Sequence, residues 1–199
     1  MRRLMVSHHL NHSSTYQLNF LGIKRFLPLQ KISRQYKIAN FSILGDIELN
    51  EKAGEKLEQI LRQKKLLCDC FVGPEIKVVP FVHHMAKRFN QKCYVILRKS
   101  VRGYMVKPII YEPLPSSPKH LKKLVLDGRL LPLIKDKKII IVDDVVSTGA
   151  TIEACEKLIQ KAGGKIIAKA AIFKQGDYYQ GDLIYLAKLP ICNLTFKVS

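Results

Sequence analysis

The 199-residue chain lacks tryptophan, and it has no apolar stretch of about 18 residues, the length that a transmembrane helix requires. Its beginning contains only a short, interrupted apolar run, which does not predict a secretory signal. The five cysteines, at positions 68, 70, 93, 155 and 192, are odd in number, and no Cys/His group has the spacing of a zinc site. We therefore expect reduced cysteines, no membrane partner and a cytoplasmic protein.

Acidic residues are also scarce. Sixteen Asp and Glu residues stand against 34 Lys and Arg residues, which gives a formal charge of +18. Such a surface attracts a polyanionic substrate, although the excess is larger than one small ligand needs. The basic residues are spread over positions 64–65, 119–123 and 135–138 without one dense arm, so nucleic-acid binding stays open as an alternative to solvated basic faces.

Apolar periodicity alternates between strand-like and helix-like segments. Strands are predicted over residues 66–72, 93–97, 124–126, 139–142 and 166–173. Helices are predicted from Asn50, as the cap, to about Lys65, from Pro80, and from Thr151. Shorter strands are predicted between Tyr16 and Phe41. The alternation predicts an α/β fold, with a mainly parallel sheet flanked by helices and joined by right-handed crossovers.

Residues 98–120 interrupt this alternation. They contain glycine, several prolines and two adjacent serines, and they show no clear periodicity. Loops of this length are uncommon in compact domains unless they are functional. We therefore predict a functional loop here.

The most informative segment covers residues 139–151, Ile-Ile-Ile-Val-Asp-Asp-Val-Val-Ser-Thr-Gly-Ala-Thr. It predicts a buried strand that delivers Asp143 and Asp144 to the carboxyl edge of a sheet. The loop Ser147–Thr151 then opens a helix whose amide N–H groups can bind a phosphate. Simple helix capping would account for one acid but not for two acids followed by this loop. Vicinal hydroxyls and a phosphate one sugar apart describe a ribose 5-phosphate.

This segment resembles the phosphoribosyl pyrophosphate (PRPP) motif of type I phosphoribosyltransferases at all thirteen positions. The resemblance extends over about residues 16–191 and is closest to the adenine phosphoribosyltransferase branch. It implies a Rossmann-like core in a single domain, 16–199, after a loose tail, 1–15. It further implies a small hood built from residues 16–48 and 174–199, a flexible lid over 99–120, and a homodimer.

The resemblance also assigns roles to residues. Asp143 and Asp144 would bind the ribose hydroxyls and stabilise positive charge that develops on the sugar. The 5-phosphate would contact the loop that follows, which comprises Val146, Ser147, Thr148, Gly149, Ala150 and Thr151. Pyrophosphate would contact Glu75, Lys77, Arg98 and Lys99, and the lid residues Tyr104 and Lys107 would close over PRPP. Mg²⁺ would be held mainly by PRPP and water rather than by protein side chains.

The resemblance defines the acceptor base less well than the PRPP-binding residues. Hypoxanthine–guanine enzymes carry a third acid at the position of Ser147, and orotate enzymes carry a His-Gly pair that the lid lacks. The resemblance therefore implies a purine, with adenine preferred, and Glu112 as the candidate for proton transfer. Phe173 and Lys174 are the candidate base-binding residues, and Lys174 by itself favours a 6-oxopurine.

Alternatives stay open at two levels. The same fold also carries PRPP-sensing regulators and nucleic-acid-binding proteins, so the fold alone does not establish an enzyme. A solvated basic loop is the alternative explanation for Tyr104 and Lys107, and an exposed loop acid is the alternative for Glu112. Val78 stands where similar proteins have a small residue, often glycine, which bears on how closely a ligand approaches the backbone there.

Overall fold

A computed structural model describes residues 9–10, 15–113 and 122–193. Its core is a five-stranded, fully parallel sheet in the order β11-β10-β9-β5-β6. A second, antiparallel sheet has the order β1-β2-β3-β4-β12, and β7 pairs with β8 in a separate two-stranded ribbon. The predicted α/β class, with a mainly parallel sheet and a separate hood, is confirmed.

The bounds of the elements are as follows. The strands are β1 His9–Leu10, β2 Thr15–Phe20, β3 Ile23–Lys31, β4 Tyr36–Ala39, β5 Cys70–Pro74, β6 Val95–Leu97, β7 Ile109–Tyr111, β8 Leu124–Leu126, β9 Lys138–Val146, β10 Lys165–Gln175, β11 Ile184–Leu189 and β12 Ile191–Asn193. The helices are α1 Ile47–Gln63, α2 Val79–Arg88 and α3 Ala150–Lys161, and a 3₁₀ helix covers Gly128–Leu133.

Strand β9 lies at the centre of the parallel sheet, between β10 and β5. Its side chains alternate between two apolar layers. Ile140 and Val142 pack on the side of α1 and α2, whereas Ile139 and Ile141 pack on the side of α3. A strand covered on both faces reads as a continuous aliphatic run, which is why the sequence located it so clearly.

Helix α1 corrects one prediction. It begins at Ile47, after the cap Asp46, and Asn50 lies inside its first turns. Asp46 accepts a 3.1 Å hydrogen bond from the Leu49 N–H and pairs with Arg25 at 2.7 Å. Both Asp46 and Asn50 are suitable cap residues. The helix begins after Asp46, the residue that also contacts Arg25 of β3.

The hood is packed on one face of the parallel sheet. Phe173 of β10 lies between two hood aromatics, with ring centroids 4.8 Å from Phe20 and 4.7 Å from Phe41. The Gln175 side chain adds a 3.0 Å hydrogen bond to the carbonyl of Ala39. The hood and the sheet therefore share one core.

Three boundaries differ from the predictions. Residues 184–189 were predicted to belong to the hood, but they form β11 of the parallel sheet. Among the described residues after 174, only β12 joins the hood sheet, where it pairs with β4. Residues 9–10 of the predicted tail form a strand beside β2. The predicted lid contains β7, which pairs with β8, while its residues 114–121 lie outside the described ranges.

Within the described ranges, no helix is both long enough and apolar enough to cross a membrane. The five cysteines are all free thiols.

Candidate functional site

The two acids lie near the carboxyl end of β9, the central strand, and both are almost completely buried. The backbone N–H of Asp144 donates to the Asp143 carboxylate at 2.9 Å, and the N–H of Val145 donates to Asp144 at 3.0 Å. Oδ2 of Asp144 is buried and has no hydrogen-bond partner within the described residues. An unpaired buried carboxylate oxygen is costly for a folded protein and is therefore a candidate ligand contact.

The electrostatic environment of the pair is unfavourable for two charges. Burial, and then repulsion by Asp144, raise the pKa of Asp143 well above its usual range. Burial also raises the pKa of Asp144, while the positive charge of Lys77 opposes this shift. Both shifts make ionisation of the pair less favourable, and a ligand that donates hydrogen bonds or brings positive charge would favour it.

The phosphate-type loop follows directly after β9. Gly149 has a left-handed backbone with φ of +85°, and helix α3 begins at Ala150. The loop encloses a small cavity of about 120 Å³, lined by Asp143 and residues 145–152. Because the first amides of α3 are not used within the helix, this cavity has the geometry and polarity of an anion site.

The loop after β5 connects to the end of β6 through one side chain. Glu75 accepts a 2.6 Å hydrogen bond from the backbone N–H of Lys99. Its other oxygen lies 2.8 Å from Nε of Arg98, an ion pair in which the N–H does not point at the oxygen. Lys77 donates to the carbonyl of Phe41 at 3.4 Å, and its charge acts on both Asp143 and Asp144. Glu75, Arg98 and Lys99, three of the residues predicted for pyrophosphate, are thus connected, and the fourth, Lys77, interacts with the acid pair.

Val78 stands where similar proteins have a small residue, and its side chain lies in the core. Its side chain is 1% exposed and packs against Gly73. Gly73 itself has no room for a Cβ atom, which would lie 2.5 Å from Val82 and 2.9 Å from the carbonyl of Val142. The valine side chain is therefore part of the core. The adjacent Glu75–Ile76 peptide bond is cis.

The predicted lid residues lie on the surface. Tyr104 is 59% exposed, with the guanidinium of Arg129 5.9 Å from its ring centroid. Lys107 is exposed and has a left-handed backbone, φ +45°. Glu112 is exposed and forms an ion pair with Lys123 at 3.2 Å. The structure does not bring these three residues to the acid pair.

The two candidate base-binding residues point to opposite faces of β10. Phe173 is fully buried between Phe20 and Phe41, so its ring has no exposed surface with which to contact a base. Lys174 is partly buried, with its ammonium 6.0 Å from the Tyr185 ring. The observed role of Phe173 is to join the hood to the sheet.

Sequence reasoning did not identify two contacts, one at the start of the predicted lid and one at the anion loop. Asp127 is buried and accepts hydrogen bonds from the N–H of Val106 at 3.2 Å and from Arg129 at 2.6 Å. The Arg129 hydrogen bond lowers the pKa of Asp127 to about 2. Tyr179 packs on Gly149. Neither contact has a local sequence pattern.

Metal ligation by the protein has little support in the geometry. Among the residues that the structure describes, no group of three or more His, Cys, Asp and Glu side chains is arranged to hold a metal ion. Asp143 lines the anion cavity, and Asp144, the next residue, has a buried Oδ2 atom without a hydrogen-bond partner among the described residues. Carboxylate oxygen suits Mg²⁺ that is bound mainly by a phosphate-bearing substrate and water.

Comparison with known proteins gives related sequences. An adenine phosphoribosyltransferase of Petrotoga mobilis is 27% identical over 125 residues, which cover 63% of this chain and 68% of that protein. An orotate phosphoribosyltransferase of Carboxydothermus hydrogenoformans is also 27% identical, over 65% of this chain and 56% of its own length. Several further relatives are adenine phosphoribosyltransferases.

Solved structures agree in fold. The adenine phosphoribosyltransferase of Thermoanaerobacter pseudethanolicus superposes with a TM-score of 0.57 at 24% identity, covering 72% of this chain and 82% of that one. The Rhodothermus marinus enzyme gives 0.57 at 20% identity, covering 74% and 83%. The model of the phosphoribosyl transferase domain matches residues 42–197. This chain therefore belongs to the phosphoribosyl transferase domain family, and the prediction of a phosphoribosyltransferase is confirmed.

Proposed function

We propose that the protein transfers the 5-phosphoribosyl group of PRPP to a purine base, preferably adenine, and releases a purine nucleotide and pyrophosphate. One observation carries the proposal. The buried acid pair and the anion cavity are consecutive in the chain, so that a ribose and its 5-phosphate can be bound together. The adenine phosphoribosyltransferases among the relatives favour adenine as the acceptor.

The acid pair has two roles in this proposal. Asp143 and Asp144 accept hydrogen bonds from the ribose hydroxyls, which supply the donors that Oδ2 of Asp144 lacks within the described residues. As the bond to pyrophosphate breaks, positive charge develops on the sugar, and the adjacent carboxylates stabilise it. The amides and hydroxyls of residues 147–151 hold the 5-phosphate and fix the ribose in place.

The leaving pyrophosphate meets the cationic group at the ends of β5 and β6. Lys77, Arg98 and Lys99 supply positive charge, and Glu75 holds Arg98 and the Lys99 amide in register. Mg²⁺, held mainly by PRPP oxygens and water, would neutralise charge on the pyrophosphate. Closure of Tyr104 and Lys107 over PRPP would exclude water from the reactive sugar.

Base selection and proton transfer are the finer parts of the proposal. Lys174, at the end of β10, would contact the exocyclic oxygen if the acceptor is a 6-oxopurine, and Glu112 would act on the acceptor proton if the lid moved toward the site. We further propose a homodimer that acts in the cytoplasm, in line with relatives of this family and with five free thiols.

A second function has one observation in its favour. The formal charge of +18 exceeds what PRPP requires, which is compatible with a PRPP-sensing regulator or a nucleic-acid-binding protein on the same fold. Such a protein would bind PRPP and turn it over poorly.

Pyrophosphate release from PRPP with Mg²⁺ tests both functions, with adenine, guanine, hypoxanthine, xanthine and orotate compared in parallel. Turnover with adenine alone supports the proposal. If the enzyme instead turns over a 6-oxopurine, that base replaces adenine as the proposed acceptor, and Lys174 is assigned to contact its exocyclic oxygen. PRPP binding without turnover for any base favours the regulator.

A further inference from the structure

Tyr179 lies in the segment 176–183, which returns from the end of β10 to the start of β11. Its ring packs directly against Gly149, the left-handed residue of the anion loop. A Cβ atom on Gly149 would overlap Cδ2 of this ring and lie 2.7 Å from Cε2. The tyrosine therefore fills the space into which a side chain at position 149 would project.

The ring is itself fixed from other directions. A Cβ atom on Gly181 would overlap the Tyr179 hydroxyl and lie 2.6 Å from Cζ, so that this second glycine allows the ring to sit close to the backbone. The Lys169 ammonium lies 5.7 Å from the ring centroid and pairs with Glu156 of α3 at 2.7 Å. Burial alone would lower the pKa of Lys169, but hydrogen bonds with Glu156 and Tyr179 raise it overall.

These contacts form a continuous chain from β10 and α3 to the loop. Glu156 and Lys169 hold the tyrosine, and the tyrosine holds Gly149. The cavity is lined by Asp143 and residues 145–152, and within the described part of the chain Tyr179 lies outside that lining. The ring thus touches the loop without touching the space that a ligand would occupy.

We propose that Tyr179 is a positioning residue that fixes the turn at Gly149 and thereby aims the loop amides at the 5-phosphate. This inference rests on the proposed function. A left-handed turn in a loop of small residues has alternative conformations, and a rigid ring against it reduces their population in the unbound protein. Binding of the phosphate then requires less ordering of the loop.

A role in positioning has a characteristic kinetic result. Removal of the ring weakens binding of PRPP, ribose 5-phosphate and the nucleotide product, because all three use the same loop. Lys174, the candidate base-binding residue at the end of β10, lies outside this loop, so we expect the KM for adenine at saturating PRPP to change little. A purely structural role would instead lower the thermal stability and reduce the active fraction, without raising the KM for PRPP.

The experiment compares Tyr179→Phe, Tyr179→Leu and Tyr179→Ala with the wild type. The matched control is Tyr178→Ala, because Tyr178 is the adjacent tyrosine and is 66% exposed. Calorimetric titration with ribose 5-phosphate and with PRPP in Mg²⁺ gives Kd, and steady-state kinetics gives kcat and KM separately. Circular dichroism and thermal unfolding identify any variant that does not fold.

We expect Tyr179→Ala and Tyr179→Leu to raise the Kd for ribose 5-phosphate about tenfold, with Tyr179→Phe and Tyr178→Ala within about threefold of the wild type. Folded Leu and Ala variants that bind ribose 5-phosphate as tightly as the wild type overturn the inference. A wild-type protein that binds neither ribose 5-phosphate nor PRPP overturns the proposed function instead, and the two failures are distinguished by this first titration.

Discussion

The backbone N–H of Asp144 donates a 2.9 Å hydrogen bond to the carboxylate of Asp143, its neighbour in the buried centre of the parallel sheet. Burial and mutual repulsion make the ionised forms of these two acids unfavourable in the folded protein. This destabilisation can be measured as a dependence of the free energy of unfolding on pH.

Asp143→Asn should make the unliganded protein more stable at neutral pH. The folded-state pKa of Asp143 is raised, so its stabilising contribution is complete below the unfolded pKa of about 4 and is lost as pH rises through the folded pKa. Asparagine cannot ionise, and we expect the free energy of unfolding at pH 7 to rise by roughly 1 kcal/mol. Urea unfolding at pH 4 and pH 7 measures the difference.

The gain in the free energy of unfolding should appear at pH 7 and not at pH 4. Asp182→Asn is the control, because Asp182 is exposed. An equal gain at both pH values, or none at pH 7, would contradict the raised pKa of Asp143.

Arg98→Ala should weaken PRPP binding, because Arg98 lies with Lys99 at the proposed pyrophosphate subsite, where Glu75 holds both residues. We expect the KM for PRPP to rise about tenfold, the usual size of a lost charged hydrogen bond. Arg62→Ala is the matched control, since Arg62 also pairs with a glutamate, Glu58, at 2.8 Å but lies on α1. Product inhibition by pyrophosphate should weaken in parallel with the change in KM.

If Arg98→Ala and Arg62→Ala give the same KM, the ion pair with Glu75 is structural and the pyrophosphate assignment is wrong.

Gly128→Ala should displace the start of the lid. A Cβ atom at this position would lie 2.5 Å from the carbonyl oxygen of Lys107 and 2.6 Å from that of Val106. Backbone atoms cannot move aside cheaply, and we expect a loss of about 1–3 kcal/mol in the free energy of unfolding. Gly103→Ala, within the same segment but with open space around its Cα atom, should change stability by less than about 0.5 kcal/mol. Equal stabilities of the two variants would show that the 106–107 segment is not docked on Gly128.

His84 should make stability depend on pH independently of the site. Burial is the largest cause of the lowered pKa of His84, and the charge of Arg88 is the next. Lys87 and His83 lower the pKa further, whereas Glu51 raises it. The unfolded chain therefore binds the proton more readily, and stability is lost as pH falls from above about 6.5 through the lower folded pKa. Thermal unfolding from pH 7.5 to 5 should show this loss, and His84→Gln should reduce it. An unchanged slope in His84→Gln would assign the pH dependence to other groups.

How well the sequence predicted each feature depends on how local its cause is. The acid pair and the anion loop are contiguous in residues 139–151, and their chemistry follows from residue type and order. The helix start was predicted at Asn50 but observed after Asp46, and its cap interacts with Arg25, more than 20 residues away. Strand β7 has only three residues and is defined by pairing with β8, so no periodicity revealed it.

Contacts between distant segments were the least predictable part of the site. The packing of Tyr179 on Gly149 joins a crossover to the anion loop, and no spacing in the sequence indicates it. Phe173 is predicted as a base-binding residue, and the strand it belongs to is present. Its side chain instead packs between Phe20 and Phe41 of the hood, which the order of residues in the strand does not reveal.

In the proposed function, this acid pair and its loop bind PRPP for transfer to adenine. The most direct test is steady-state pyrophosphate release from PRPP and adenine with Mg²⁺, comparing the wild type with Asp144→Asn after both are shown to be folded. We predict clear turnover in the wild type and a kcat lower by about tenfold or more in Asp144→Asn, because charge that faces the developing cation is removed. An unchanged kcat in Asp144→Asn, or a wild type that releases no pyrophosphate, would contradict the account.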